Sequence, residues 1–312
     1  MQKQKVITIL GPTASGKSAL GVYLAKKMGS SIISGDAFQV YQGMDIGTAK
    51  VSRSEMEGVP HYLVDCFHPT ESYSAAIFAE KASHYIEIEN NSGRIPFIVG
   101  GTGLYIEGLL AGFEFRDKGS TRQHWMGLYE KEGIAGLIAA AKNIPTIKEI
   151  PQDKQRLIRS LELATDNKSQ QAGRAADLVY KGPVIGISMD REKLYERINL
   201  RVEHMFEQGL EQEVRALLAS GIPADAQAFK GIGYKEMLAY IRGELSLHGA
   251  KELIKKNTRH FAKRQLTWFR HMPYIQWIER SDTEDNSWYE QAEQLIYTYY
   301  SCLLYTSPSP RD

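Results

Sequence analysis

Residues 11–18 read GPTASGKS and follow directly on the apolar run VITIL at 6–10. The stretch fits the pattern G-x-x-x-x-G-K-[ST], in which a tight turn aims backbone N–H groups at phosphate oxygens. The pattern needs a strand before the turn and a helix after it, because the positive end of the helix also attracts the anion. We therefore predict a buried strand at 6–10, a phosphate loop at 11–18 and a helix from about 16 to 28.

Strand-like and helical segments alternate after this loop. Strands are predicted at 31–34, 62–65 and 96–99, and a helix at 74–88 lies between the last two. The run GPVIGISMD at 182–190 indicates a return to the sheet. This alternation predicts an α/β protein with a P-loop NTPase-like, doubly wound parallel sheet.

The alternation of strands and helices stops between residues 116 and 181, where no strand-like run occurs and the segments are typical of helices. We predict that 116–181 is a helical insertion domain. The core is then 1–115 with 182–301, ending in a helical C-terminal region. Residues 302–312 contain two prolines that interrupt regular structure. They are predicted to be a disordered tail, and the sequence leaves open whether it is native.

Composition sets further bounds. The 312 residues carry a formal net charge of +1, so binding to a polyanion must depend on local clusters of charge. The two cysteines, Cys66 and Cys302, suggest neither a metal site nor a disulfide framework, and we expect a cytoplasmic protein. No stretch approaches the roughly 20 apolar residues that span a bilayer. We expect a monomer without membrane contact.

The phosphate loop supplies several groups to a diphosphate or triphosphate. Lys17 brings a mobile positive charge, and the hydroxyl of Ser18 is a ligand for Mg²⁺. P-loop nucleotide hydrolases add an aspartate at the end of a second strand, but the strand at 96–99 ends in Gly-Gly-Thr-Gly. The loop therefore indicates diphosphate binding more strongly than ATP hydrolysis. Its residues are Gly11, Pro12, Thr13, Ala14, Ser15, Gly16, Lys17 and Ser18.

Two polar residues follow other predicted strands. Asp36 comes after the strand at 31–34, and Thr102 lies in the turn after 96–99. Ligands of open α/β sheets lie beyond the carboxyl ends of the strands, so both side chains should face the phosphate site. The alternative for each is a structural role, as a turn-forming aspartate or a helix-capping threonine.

Basic residues concentrate at 251–270, where four lysines and three arginines stand against one glutamate, a local net charge of +6. Lys255, Arg259 and Lys263 repeat at i, i+4 and share one helix face, and Trp268 and Phe269 follow. Aromatic and basic residues together suit nucleic acid, although a solvated basic helix face has the same pattern.

The insertion carries a second basic group. Lys154, Arg156 and Arg159 form it, and Arg122 lies elsewhere in the same segment. Because one group is on the core and the other on the insertion, we predict that the two hold a phosphate backbone from two sides.

Six segments in this order resemble the motif series of the bacterial tRNA dimethylallyltransferases. The segments are GPTASGKS, SGDAFQVYQGMDIGTAK, VGGTGLY, DKQRLIRSLE, IGYKE and TRHFAKRQLTWFR, and the resemblance extends over about residues 6–278. It implies transfer of a dimethylallyl group from dimethylallyl diphosphate to N6 of the adenosine just 3′ of a tRNA anticodon, with Mg²⁺. One departure is Ala37, where the family pattern leads us to expect serine.

The resemblance also implies roles for individual residues. Asp36 is the general base, Thr102 orients the amine or a phosphate, and Lys17 stabilises the departing diphosphate. Gln39 reads the extruded adenine. The residues implied in binding the tRNA anticodon stem-loop are Asp36, Ala37, Phe38, Gln39, Thr102, Arg122, Gln155, Arg156, Arg159, Arg259, Lys263, Arg264 and Arg270.

Two other functions fit parts of the sequence. A P-loop small-molecule kinase would use ATP and take Asp36 as base toward a hydroxyl. An RNA-binding module without catalysis would hold backbone phosphate in the loop at 11–18. Binding of ATP against dimethylallyl diphosphate distinguishes the kinase, and loss of RNA binding in Lys17→Ala would favour the binding module.

Overall fold

A computed structural model describes residues 3–113, 115, 121–165, 177–281 and 287–305, with side chains up to residue 301. The chain divides into two compact units. The first comprises residues 1–112 with 175–312, and the second comprises residues 113–174.

The first unit is built on a parallel sheet. Every pair of neighbouring strands in it is parallel, so their carboxyl ends lie along one edge. Its strands are β1 (Ile7–Leu10), β2 (Ile32–Ser34), β3 (His61–Tyr62), β4 (Phe97–Gly100), β5 (Val184–Ser188) and β6 (Ile275–Glu279), in the spatial order β3-β2-β4-β1-β5-β6. The predicted α/β class with a P-loop NTPase-like parallel sheet is confirmed.

Helices connect the strands of this unit. Strand β1 is buried along its whole length, and Ile7 and Ile9 pack with Leu20 and Leu24 of the helix that follows. The helices are α1 (Lys17–Lys27), α2 (Ala75–Asn91), α3 (Gly103–Leu110), α6 (Arg191–Glu207), α7 (Leu210–Ala219), α8 (Tyr234–Ile241), α9 (Leu247–Arg270) and α10 (Ser287–Tyr305). Helix α4 (Arg122–Lys142) and helix α5 (Lys154–Thr165) belong to the second unit.

The second unit has its own core. Residues 121–165 form these two helices with a non-helical segment at 143–153 between them, and contain no strand. Leu137 of α4 packs against Leu157, Ile158 and Leu161 of α5, and all four are fully buried. Helix α4 is kinked at Gly133, where φ is 64°.

The structure corrects two predicted boundaries and adds one strand. The strand predicted at 62–65 ends at Tyr62, because Leu63 and Asp65 both have positive φ and cannot continue an extended strand. Strand β6 was not predicted. Helix α10 continues to Tyr305, so residues 302–305 of the predicted tail are helical, and 306–312 lie outside the described residues.

No helix among the described residues is long and apolar enough to cross a membrane.

Candidate active site

The phosphate loop connects β1 to α1 at the carboxyl edge of the sheet. Gly16 has φ of 90°, a conformation that side-chain-bearing residues rarely adopt, and a Cβ there would collide with the guanidinium of Arg280. Within the described residues, the N–H groups of Gly16, Lys17 and Ser18 make no hydrogen bond. These donors and the N-terminal end of α1 are therefore available to an anion.

Two other N–H groups of the loop are already used. Ser15 N–H donates to the carbonyl of Pro12 at 3.3 Å. Thr13 N–H donates to Oε1 of Gln265 at 2.9 Å. The structure thus departs from the expectation that successive N–H groups of the loop face the ligand, because Thr13 and Ser15 use theirs to hold the shape of the loop.

Lysine and arginine side chains contact the loop. Lys17 Nζ donates to the carbonyl of Pro12 at 3.3 Å. Two arginines of α6 also donate to the loop: Arg197 Nε to the carbonyl of Ala14 at 3.0 Å, and Arg201 Nη1 to the hydroxyl of Thr13 at 3.1 Å.

The electrostatics of these cations indicate an anion site. Burial and the neighbouring Arg201 lower the pKa of Lys17 to about 8, against the opposing effect of Asp36. Burial and Arg197 likewise lower the pKa of Arg201. Lowered pKa values mean that the positive charges are held at a cost in the absence of a ligand. A bound diphosphate would offset the repulsion between these positive charges.

Sequence analysis missed Arg197 and Arg201. Their i, i+4 spacing on the helix directly after β5 was a usable signal, because it places both on one face next to the sheet edge. Glutamates alternate with the arginines over 191–204, so a search for segments of high net positive charge does not find this one. Arg280, which donates to the carbonyl of Ser15 at 3.1 Å, was also missed.

Asp36 follows β2 and is half-buried. Its Oδ1 accepts hydrogen bonds from the N–H groups of Phe38 at 2.8 Å and Gln39 at 3.2 Å. Its Oδ2 has no hydrogen-bond partner among the described residues. One oxygen therefore forms the turn, and the other remains able to accept a proton.

Thr102 lies at the N-terminal end of α3 but makes no capping hydrogen bond with its side chain, so the capping alternative is wrong. Its Oγ1 accepts a hydrogen bond from Ala37 N–H at 3.1 Å. Its own N–H donates to the carbonyl of Gly35 at 3.2 Å. These two bonds join the loops after β2 and β4 and place the Thr102 hydroxyl beside Asp36.

Gln39 is only partly available for reading a base. Its Nε2 donates to the carbonyl of Ala49 at 3.2 Å. The amide donor is thus used within the loop that follows, and Oε1 is the group left to accept a hydrogen bond.

Gln265 of α9 joins the two sides of the site. Its side chain is almost completely buried, with 5% exposed. Oε1 accepts from the N–H of Thr13 in the phosphate loop, and Nε2 donates to the carbonyl of Gly101 at 2.8 Å. A single side chain therefore sets the spacing between the phosphate loop and the loop that carries Thr102.

We expect Gln265→Leu to loosen both loops. The change leaves the half-buried N–H of Thr13 and the buried carbonyl of Gly101 without partners, at about 1–3 kcal/mol each. The free energy of unfolding should fall by about 2–6 kcal/mol, and the affinity for diphosphate should weaken. Thermal unfolding and diphosphate binding measure the two effects. The control is Gln294→Leu on the exposed face of α10. Equal results for the two variants would contradict this role of Gln265.

The basic face of α9 is partly used inside the protein. Lys255 is bound to both Glu203 and Glu252, at 2.6 and 2.7 Å. Arg259 donates to Asn199 of α6 at 2.6 Å. The predicted face of Lys255, Arg259 and Lys263 is therefore not a uniform surface for phosphate, because its first two members pair with groups on α6 or on α9 itself.

Other basic residues of α9 remain exposed. Lys263, Arg264 and Arg270 are exposed, and none of them makes an ion pair with a described residue. Trp268 is 42% exposed, whereas Phe269 is completely buried. Of the two predicted aromatic contacts, only Trp268 is accessible.

In the insertion, too, some basic residues pair within the protein and others are exposed. The carboxylate of Glu162 is completely buried and pairs with Arg122 at 3.2 Å and Arg159 at 3.3 Å. Arg122 also donates to Gln155 at 2.8 Å. These predicted RNA-binding residues thus first neutralise a buried charge, and Arg156 is the exposed arginine of α5.

The donors present fit Mg²⁺. Among the described residues there is no group of three or more His, Cys, Asp or Glu that could hold a metal ion. The Ser18 hydroxyl makes no hydrogen bond with a described residue and stands at the start of α1. Magnesium is commonly held by one or two protein oxygens together with substrate phosphates, and one hydroxyl beside a phosphate loop suits that arrangement.

The model of the IPP transferase family matches residues 39–272. The tRNA dimethylallyltransferase of Bacillus cytotoxicus is 43% identical over 293 residues, 91% of this chain and 92% of that protein. The enzyme of the same name from Bacillus subtilis is 41% identical, with 91% and 93% covered.

Solved structures agree with these relatives. The full-length tRNA isopentenylpyrophosphate transferase of Bacillus halodurans has a TM-score of 0.75 and 38% identity, with 97% of this chain and all of that chain covered. A eukaryotic dimethylallyltransferase, captured acting on tRNA, has a TM-score of 0.78 and 26% identity, with 99% and 81% covered.

Proposed function

The chain belongs to the IPP transferase family and transfers a dimethylallyl group to tRNA, and we propose that its donor is dimethylallyl diphosphate held on the phosphate loop. The observation that carries this proposal is the set of three cations, Lys17, Arg197 and Arg201, around a loop with free N–H donors. The relatives do not favour the kinase alternative.

The acceptor in this proposal is N6 of the adenosine 3′ of the anticodon. N6 attacks C1 of the dimethylallyl group, the bond from C1 to the diphosphate oxygen breaks, and the amine proton passes to Asp36 Oδ2. Because the lone pair of N6 is conjugated with the ring, removal of the proton as the new bond forms is expected to help, by about 10²–10⁴-fold.

The departing diphosphate gains negative charge as the bond to carbon breaks. Lys17, Arg201 and the loop N–H groups are preorganised to stabilise that charge, and Ser18 would hold Mg²⁺, which acts as a Lewis acid on the phosphates when bound. Thr102 has its oxygen fixed by Ala37 N–H, which leaves its hydroxyl proton to donate to the substrate.

The acceptor base must leave its stack to reach Asp36. Extrusion costs a few kcal/mol and is least costly in a single-stranded loop, which suits an anticodon loop. The exposed residues Arg156, Lys263, Arg264 and Arg270 would contact the RNA backbone. We further propose that the enzyme works in the cytoplasm as a monomer.

Mass spectrometry of tRNA nucleosides tests the reaction. The purified enzyme with tRNA, dimethylallyl diphosphate and Mg²⁺ should yield dimethylallyl-adenosine, and chelation of the metal should lower the yield. Absence of this product together with steady ATP hydrolysis would overturn the proposed donor and favour the kinase.

Salt dependence tests the RNA contacts. Each Lys or Arg that neutralises a phosphate contributes about 0.7–0.9 unit to the slope of log K against log salt. The double variant Lys263→Gln/Arg270→Gln should lower the slope by roughly 1.4–1.8 units, and Arg156→Gln by about 0.7–0.9.

The matched control is Lys255→Gln, because Lys255 is bound to two glutamates and should not contribute to the slope. The measurement is titration of an anticodon stem-loop at several salt concentrations. An unchanged slope in the double variant would show that this part of α9 is an ordinary solvated face.

A further inference from the structure

We propose that the exposed ring of Trp268 is a stacking platform for an unpaired RNA base next to the target adenosine. The inference rests on the proposed function, since it needs a single-stranded RNA substrate at this site. A solitary exposed aromatic residue is common on protein surfaces, so the argument depends on where the ring lies and on what surrounds it.

The ring lies against the backbone that carries Thr102. A Cβ built on Gly103 would lie 2.5 Å from Cδ1, 2.7 Å from Cγ and 2.9 Å from Nε1 of Trp268. All three atoms belong to the five-membered ring, so only glycine leaves room for it. Because Gly103 directly follows Thr102, the indole is placed beside the residue that contacts the Asp36 loop through Ala37.

The position of Trp268 is fixed by the rest of α9. Gln265 lies three residues earlier and holds the helix to both Thr13 and Gly101. Phe269, the next residue, is completely buried. An aromatic ring on a firmly held helix offers a contact surface at low entropic cost.

The surroundings of the ring suit RNA. Arg264, one turn earlier on α9, is exposed, and so are Lys263 and Arg270. Leu104, next to Gly103, is 43% exposed and extends the apolar surface. Aromatic rings flanked by cations are typical of single-strand binding, in which bases stack and the backbone meets the charges. Bases inside a duplex have no free face, so the partner is an unpaired base.

The test compares three substitutions of exposed tryptophans. Trp268→Leu keeps an apolar side chain against Gly103 but removes the ring, and Trp268→Phe keeps an aromatic face. Trp277→Leu is the matched control, because Trp277 is 38% exposed on the edge strand β6 and also lies against a glycine, Gly186. The probe is an anticodon stem-loop RNA with 2-aminopurine on either side of the target adenosine.

We expect Kd for the stem-loop to rise about tenfold in Trp268→Leu, which corresponds to about 1.4 kcal/mol and lies within the range for one stacked base. Trp268→Phe should retain most of the affinity, and Trp277→Leu should bind as the wild type does. Stacking on Trp268 should quench the fluorescence of 2-aminopurine at one of the two positions, and this quenching should be lost in Trp268→Leu. Affinity for dimethylallyl diphosphate should not change in any variant.

Unchanged stem-loop affinity in Trp268→Leu would overturn the platform, and so would an equal loss in Trp277→Leu. If the wild type still modifies the stem-loop normally, either result would leave the proposed function unaffected. A wild-type enzyme that neither binds nor modifies the stem-loop would instead overturn the proposed function, and the platform with it.

Discussion

Asp36→Asn is expected to lower kcat by about 10²–10⁴-fold, the usual contribution of a general base. The amide oxygen can still accept the hydrogen bonds that Phe38 and Gln39 donate to Oδ1, so the turn after β2 should persist. The amide cannot take the proton from N6. The loss should therefore fall on turnover, while the affinities for tRNA and dimethylallyl diphosphate stay nearly constant.

Single-turnover kinetics at saturating substrates measure this effect, together with separate binding titrations. The control is Asp65→Asn, the same change at an exposed carboxylate that pairs with Lys50 at 2.8 Å. Near-normal turnover in Asp36→Asn would show that the proton leaves by another route. A loss of affinity equal to the loss of rate would show instead that Asp36 acts in binding.

Removal of a cation that contacts the phosphate loop is expected to weaken binding of the dimethylallyl donor. Lys17→Met and Arg201→Met each delete a charged hydrogen-bond donor, worth about 1.5–3 kcal/mol, so KM for dimethylallyl diphosphate should rise roughly 10–150-fold. Because Arg201 already lowers the pKa of Lys17, the effects of the two substitutions should not add, and the double variant should lose less than the product of the single losses.

Steady-state kinetics and direct binding of inorganic diphosphate measure this loss. Lys26→Met serves as the control, since Lys26 lies on the same helix α1 but pairs with Glu57 at 2.7 Å, away from the loop. An unaltered KM in Lys17→Met and Arg201→Met would refute the donor site. Tight ATP binding with steady hydrolysis by the wild type would identify the loop as a nucleotide site.

Several features were predictable because they depend on neighbouring residues. The strand at 6–10, the turn at 11–18 and the helix after it follow from backbone preferences within about 20 residues. Asp36 and Thr102 could be placed at one edge because parallel strands align their carboxyl ends. Strand β6 was not predicted because it is an edge strand: Gln276, Trp277 and Glu279 are exposed, and only two of its five residues are buried.

The remaining features depend on contacts between distant segments. Arg201 reaches Thr13 across 188 positions, and Gln265 reaches it across 252. Lys255 is bound to Glu203 of another helix, so its spacing with Arg259 and Lys263 did not reveal that its charge was already balanced. The spacing of residues in the sequence predicts which side chains share a helix face, because the helical repeat depends only on neighbouring residues. The residues that contact this face are determined by how the helices pack, and packing depends on the whole folded chain.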